Sequence, residues 1–395
     1  MSDGKWDLFK QNNGVAVAVL LGLLALAGLP NLMTRSAGIN RLQKRYRNLH
    51  RIHELPVILR NGELDPHEVD ALAAGYYEGL ERDAGPVGLP AERDDVQFRD
   101  DFLRYELKPH LKRPLKDGMR ITNSFGMDNP EYPYEKPLGT RRIALLGDSQ
   151  TLGPYGCDYG ALLEDRLNKA YLTKRIDKFE VLNFAVYGYS VLQMMDVALD
   201  KAPLFHPDVY LVALTNLELL SKSGWITQVG RLLGSGTDLK YDFLRDVAAR
   251  AGVRPTDHLP IIRIKLRPYL FPVITQALER IRDRASSQGA QVVVILLATP
   301  IDPQYTASDF NSLHKATDGL GVPVIDLRDT FQSVDLNDVQ MDPRVDIHPN
   351  VKGHRLMFEN LLAKLQAQPR AWAAVAGTAA APAHEPDQSA TSKTF

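Results

Sequence analysis

The chain has 395 residues, 44% of them hydrophobic, and 47 lysines and arginines offset 48 aspartates and glutamates for a net charge of −1. That composition supports one substantial core with appended segments, and it lacks the basic field that holds nucleic acid, so nucleic-acid partners are set aside. The single cysteine, Cys157, has no partner for an intramolecular disulfide and reads as a small packed residue, so the fold must stand on packing.

After a short N-terminal segment (residues 1–13), residues 14–33 run without charge from Gly14 to Met33. About 20 such residues cross a hydrocarbon core as a helix, so a single-pass anchor in a bacterial inner membrane is expected. A cleaved signal peptide is the rival, but no small-x-small cleavage site follows Leu29. Arg35, Arg41, Lys44, Arg45, Arg47 and Arg51 follow the span and only Lys5 and Lys10 precede it, so a charge count places the large domain in the cytoplasm. Long domains cross largely regardless of charge, and an extracytoplasmic, periplasmic domain is the expectation adopted.

Residues 34–138 read as a basic amphipathic and helical spacer. Ile39, Leu42, Tyr46, Leu49 and Ile52 recur at helical spacing among the basic residues, which suits a helix resting on anionic headgroups. A helix is expected over Pro66–Arg82 and another around Phe98–Leu107. Asn123 to Pro137, with Pro130 and Pro133 between, then leads in extended form to a first strand.

From Arg141 the pattern becomes regular. Apolar runs at Ile143–Leu146, Val181–Val186, Val209–Leu214, Val292–Ala298 and Val322–Leu327 alternate with helical stretches at Tyr159–Tyr171, Val191–Lys201, Tyr269–Ser287, Thr306–Leu320 and Val351–Gln366. Strand alternating with helix predicts an α/β domain over residues 139–367: a flavodoxin-like, three-layer, doubly wound parallel sheet of about five strands. The polar insertion from Leu220 to Pro260 reads as a lid or substrate wall, and residues 368–395, rich in Ala, Pro, Ser and Thr, as a disordered tail.

The carboxyl ends of parallel strands open on one edge, where ligands bind. The first run ends at Gly147-Asp148-Ser149, expected just before a helix whose N-terminal N–H groups would face a developing oxyanion. The second ends at Tyr187-Gly188-Tyr189-Ser190 and the third at Thr215-Asn216, while Asp346-Ile347-His348-Pro349-Asn350 precedes the last helix. A hydroxyl, an imidazole, a carboxylate and amide donors are the groups that acyl transfer needs. Asp346 and His348 lack a third ligand at metal-binding spacing, so neither metal nor cofactor is expected. Asp342 is the next carboxylate able to orient His348, and His354 reads as packing or surface.

These blocks resemble the SGNH hydrolases, or GDSL-like family, which supply Ser, Gly, Asn and His in that chain order. Gly147 to Gly153 carries the first block and Asn183 to Ser190 the second, with Gly188 as backbone oxyanion donor. In the third, Leu214-Thr215-Asn216-Leu217 keeps only the asparagine of the usual Gly-x-Asn-Asp. In the fourth, Val345 holds the usual aspartate position and Asp346 stands two residues before His348. That Asp-x-His form occurs in relatives acting on bacterial exopolysaccharides, including the alginate acetylation proteins. The resemblance implies a Ser149–His348–Asp346 triad, an oxyanion hole from the Ser149 and Gly188 amides and the Asn216 side chain, and a serine esterase or O-acyl (acetyl) transferase. With the anchor, it implies an acyl ester on a cell-envelope or secreted polysaccharide, in an export or biosynthesis complex. The rivals are a lipid esterase or thioesterase, and a non-catalytic polysaccharide-binding or assembly subunit that keeps the fold.

Overall fold

The computed structural model describes residues 95–219, 224–301, 306–343 and 346–377. The expected anchor, the basic amphipathic segment, the Pro66–Arg82 helix and residues 378–395 lie outside that set. No helix among the described residues is long and apolar enough to cross a membrane.

Two hairpins come first: β1 (Val96–Phe98) with β2 (Tyr105–Leu107), and β3 (Lys112–Leu115) with β4 (Gly118–Ile121). The helix expected around Phe98–Leu107 is thus a hairpin. Its connection turns sharply because the Asp101 carboxylate accepts the Leu103 N–H and Arg104 takes a left-handed φ of 70°. Tyr105 and Leu107 are buried on one face with Glu106 between them, a period of two that sets this segment in a sheet.

The regular α/β region then follows in chain order. It comprises β5 (Thr140–Leu146), α1 (Tyr159–Ala170), β6 (Lys178–Asn183), α2 (Val191–Asp196), β7 (Val209–Leu214), α3 (Trp225–Gly234), α4 (Asp242–Arg250), α5 (Leu259–Leu266), α6 (Leu270–Ser287), β8 (Gln291–Leu296), α7 (Ala307–Thr317), β9 (Val324–Asp326), β10 (Gln340–Asp342), β11 (Asp346–Pro349), α8 (Val351–Ala367) and α9 (Pro369–Ala376). The five strands β5 to β9 pair in parallel in the order β6-β5-β7-β8-β9. Chain order thus reverses at β5, the doubly wound arrangement expected.

Alternation along each strand builds two cores. Ala144, Leu146, Tyr210, Val212, Leu214, Val294 and Leu296 face one, shared with α2, α3, α6, α7 and the first hairpin. Ile143, Leu145, Val209, Leu211, Val293 and Ile295 face the other, closed by α1, α8 and α9. With both faces covered, the strands read as continuous apolar runs.

Two expectations need correction. Residues 224–259 of the Leu220–Pro260 insertion are not an irregular loop: Trp225, Val229 and Leu232 recur at helical spacing along α3 and are buried, and Phe243, Leu244 and Val247 do the same for α4. The tail from 368 begins as helix α9, in which alanines favour the helix and Trp372 and Val375 are buried. Its end is tied to β5 by Arg141, which donates to the carbonyls of Ala374 and Val375. The stretch expected as a helix over Val191–Lys201 is helical throughout, α2 passing into a π turn over Val197–Lys201.

Glu218, buried just beyond β7, accepts the first N–H of α2 from Val191 at 2.8 Å and that of α3 from Trp225 at 2.9 Å. One carboxyl group therefore ends two helices. Burial pushes its pKa up to about 8, against the pull of those two N–H groups. Because the folded chain holds this proton more tightly, the stability it contributes is complete below the ordinary value of 4.5 and is lost as pH rises through about 8. Thermal unfolding should show Glu218→Gln losing less stability than the parent between about pH 5 and about pH 9. Parallel profiles would refute that assignment.

Candidate active site

Strand β5 ends at Leu146 and the chain turns immediately. The Asp148 carboxylate fixes that turn: one oxygen accepts the Gln150 N–H at 2.8 Å, the other the Thr215 hydroxyl at 2.6 Å from the end of β7. Burial raises the Asp148 pKa, opposed by those bonds. Gly147 is required by close approach, since a Cβ there would collide with the Thr151 side chain. The N–H groups of Thr151 and Leu152 both return to the Asp148 carbonyl at 3.1 Å.

The helix expected directly after Ser149 begins only at Tyr159, with Asp158 as its N-cap accepting from Gly160 and Ala161. Pro154 has no N–H with which to extend the first turn. Ser149 therefore sits on a free-standing turn, and the dipole of a long helix is not aimed at it.

The fourth block arrives from the far end of the domain. Asp346 and His348 lie on β11, where residues two apart share a face. Asp346 Oδ1 accepts from the His348 N–H at 3.0 Å and meets His348 Nδ1 at 2.6 Å, while His348 Nε2 lies 2.8 Å from Ser149 Oγ. The structure thus brings Ser149, His348 and Asp346 into one hydrogen-bonded series. The Asp346 position two residues before the histidine is a property of extended backbone. Asp342, the alternative orienter, lies across the β10–β11 pair and sits 3.5 Å from Lys116. Ser149 is 9% exposed, whereas the His348 and Asp346 side chains are 37% and 45% exposed, so the series opens to solvent on the imidazole side.

Gly188 has a φ of 65°, a conformation that favours glycine, at the turn after β6. Asn216 is buried at the end of β7, but its carboxamide is engaged: its Nδ2 points to Asp309 at 3.4 Å and its Oδ1 accepts from Thr299 at 3.1 Å. Asp309 and Thr299 had no signal in the sequence. His354, on α8, is the packing residue expected: buried, stacked on Tyr159 with ring centroids 6.1 Å apart, and held neutral by burial with its pKa down to about 3. A Cβ on Gly153 would lie 2.5 Å from its Nε2, so this glycine lets the serine turn rest on α8. Cys157 is half-buried and free.

A hydroxyl, an imidazole and a carboxylate in series at the carboxyl edge of a parallel sheet define a serine hydrolase. The chain belongs to the GDSL-like lipase/acylhydrolase family, whose family model matches residues 145–356, more than half of the sequence. It is a serine hydrolase acting on esters. A search of curated proteins finds no match. Among solved structures it is similar to a catalytic mutant of Axe2, an acetylxylan esterase from Geobacillus stearothermophilus, at 13% identity over 57% of this chain and 94% of that one, TM-score 0.38. It is similar to TesA at 13% identity over 57% and 99%, TM-score 0.35. It is also similar to the acetyl xylan esterase AlAXEase at 16% identity over 56% and 98%, TM-score 0.35.

The geometry distinguishes the two carboxylates. Asp346→Asn should lower kcat on an acetyl ester by about 10²–10⁴-fold, as loss of the orienting carboxylate does in serine hydrolases, whereas Asp342→Asn should stay within about threefold of the parent. Equal losses in steady-state kinetics would reject Asp346 as the orienter.

Proposed function

We propose that Ser149 is the nucleophile of an esterase or O-acyl transferase that acts on acyl groups, acetyl first, of a cell-envelope or secreted polysaccharide. The observation that carries the catalytic half is the Ser149–His348–Asp346 series, with contacts of 2.8 and 2.6 Å. His348 Nε2 takes the hydroxyl proton as Ser149 Oγ bonds to the ester carbonyl carbon. Asp346 holds the imidazole in the right tautomer and supports its charge. The Ser149 and Gly188 amides, with the Asn216 side chain, are the proposed donors to the oxyanion. Asn216 serves once its amide turns from the 3.4 Å contact with Asp309 to the substrate. The carbon–oxygen bond to the sugar then breaks, and His348 returns the proton to the departing oxygen. Water, or a second sugar hydroxyl, attacks the acyl-serine with its own proton passing to His348; the acyl–Oγ bond then breaks and His348 returns that proton to Ser149 Oγ, restoring the free hydroxyl.

Two features support a carbohydrate ester. The solvent-open side of His348 and Asp346 leaves room for a polymer to approach without threading a closed tunnel. The Asp-x-His block is the form shared with the exopolysaccharide-acting relatives. The anchor expected over residues 14–33 would hold the site at the inner membrane, facing the periplasm.

Ser149→Ala should lower kcat on an acetyl ester by roughly 10⁴–10⁶-fold. The parent should release acetate from an acetylated polysaccharide, or transfer it, and should lose activity as the acyl chain lengthens. A parent most active on long acyl chains would favour a lipid substrate, and an unimpaired Ser149→Ala enzyme would end the catalytic reading.

A further inference from the structure

We propose that Tyr105, on the first N-terminal hairpin, is a positioning residue that sets the Tyr187–Gly188 peptide so that its N–H faces the oxyanion; this rests on the catalytic reading above. The Tyr105 hydroxyl donates to the Tyr187 carbonyl at 2.8 Å. In a trans peptide the carbonyl oxygen and the following N–H point in opposite directions, so a hydrogen bond that fixes the one aims the other.

This peptide needs an outside hold. Gly188 lies at φ 65°, and glycine populates both signs of φ at little cost, so local backbone preference alone leaves the plane free to rotate. The Tyr105 hydroxyl closes that freedom by holding the carbonyl, and the same oxygen would stand only 3.3 Å from a Cβ on Gly188, so it lies close beside the glycine it steadies. Tyr105 is held in turn, because the Tyr189 hydroxyl donates to its carbonyl at 2.8 Å and β1 pairs with it through Phe98.

Arg120, on the second hairpin, holds the side chain of Tyr187, the residue that supplies the carbonyl of this peptide. Its guanidinium is buried, paired with Asp128, and donates to the Tyr187 hydroxyl at 3.1 Å. It also donates to the carbonyls of Leu152 and Gly153, three and four residues beyond the proposed nucleophile. One side chain thus ties the serine turn to the proposed oxyanion turn. Tyr105 and Arg120 both precede residue 145, where the family match begins. In this chain the catalytic edge is therefore completed by a segment outside the family core.

Tyr105→Phe keeps the ring packed against Tyr189 and removes only the hydroxyl. Loss of one oxyanion donor costs about 10²–10³-fold in kcat. Loosening its peptide should cost about tenfold, with KM on the acetyl ester within about twofold of the parent. Affinity for a boronate that forms a tetrahedral adduct should fall by the same factor as kcat. The control is Tyr132→Phe, which removes an equally buried hydroxyl of the same extension, bonded at 2.7 Å to Glu164 on α1. It should leave kcat and boronate affinity unchanged even where it lowers the unfolding temperature. Full-chain Tyr105→Phe enzyme with parental kcat, beside a Ser149→Ala enzyme that has lost activity, overturns this inference and leaves the catalytic reading standing. So does a Tyr132→Phe enzyme that loses kcat as much as Tyr105→Phe. Retained activity in Ser149→Ala removes the catalytic reading and this inference together.

Discussion

The site depends on one buried carboxylate. Asp148 stands at the end of the central strand and is held between the Thr215 hydroxyl and the Gln150 N–H, at 2.6 and 2.8 Å. The first bond locks the ends of β5 and β7 together, and the second shapes the turn that presents Ser149. Without that double hold, the serine would ride on a loop with one helical turn behind it and no long helix to stiffen it. His348, which comes from 199 residues away, could then not find the hydroxyl within 2.8 Å. Burial raises the cost of ionising Asp148, and the two donors offset part of that cost.

The sheet does the rest of the positioning. Parallel pairing brings the ends of β5, β6 and β7 to one edge in register, and both cores clamp the strands along their length. The fourth block is added by β11, a short antiparallel strand beyond the sheet, and α8 follows it directly. The Asn350 side chain caps α8 through the Gly353 N–H at 3.0 Å, and Asp117 from the second hairpin accepts the Val351 N–H at 2.7 Å. The N-terminal hairpins thus complete the proposed catalytic edge, touching the serine turn, the glycine turn and the base of the histidine strand.

What could be read in the sequence follows from range. The five sheet strands are apolar on both faces and could be found as runs, and the first three blocks stand directly at the ends of β5, β6 and β7. Asp346 and His348 could be paired because an extended segment puts residues two apart on one face. The hairpin strands could not be found this way, since they are three or four residues long and too short for a period to show. Tyr105, Arg120, Glu218 and Asp309 act through contacts with residues 27 to 93 positions away, and no local pattern marks such partners. The insertion helices were within reach: Trp225, Val229 and Leu232 already lie on one helical face. The polar residues between them concealed it. The alanines of α9 fall in a stretch whose Ala, Pro, Ser and Thr content predicts disorder, although alanine is the strongest helix former and Trp372 supplies an anchor to the core.

On the proposed mechanism, the hydroxyl of Ser149 becomes covalently acylated. The most direct measurement is intact-mass analysis of the full chain after reaction with a fluorophosphonate, followed by peptide mapping. One adduct per chain is expected, carried by the peptide that contains Ser149 and formed slowly or not at all when His348 is replaced by alanine. An adduct on any other residue, or ester hydrolysis that continues with Ser149 unmodified, would contradict it.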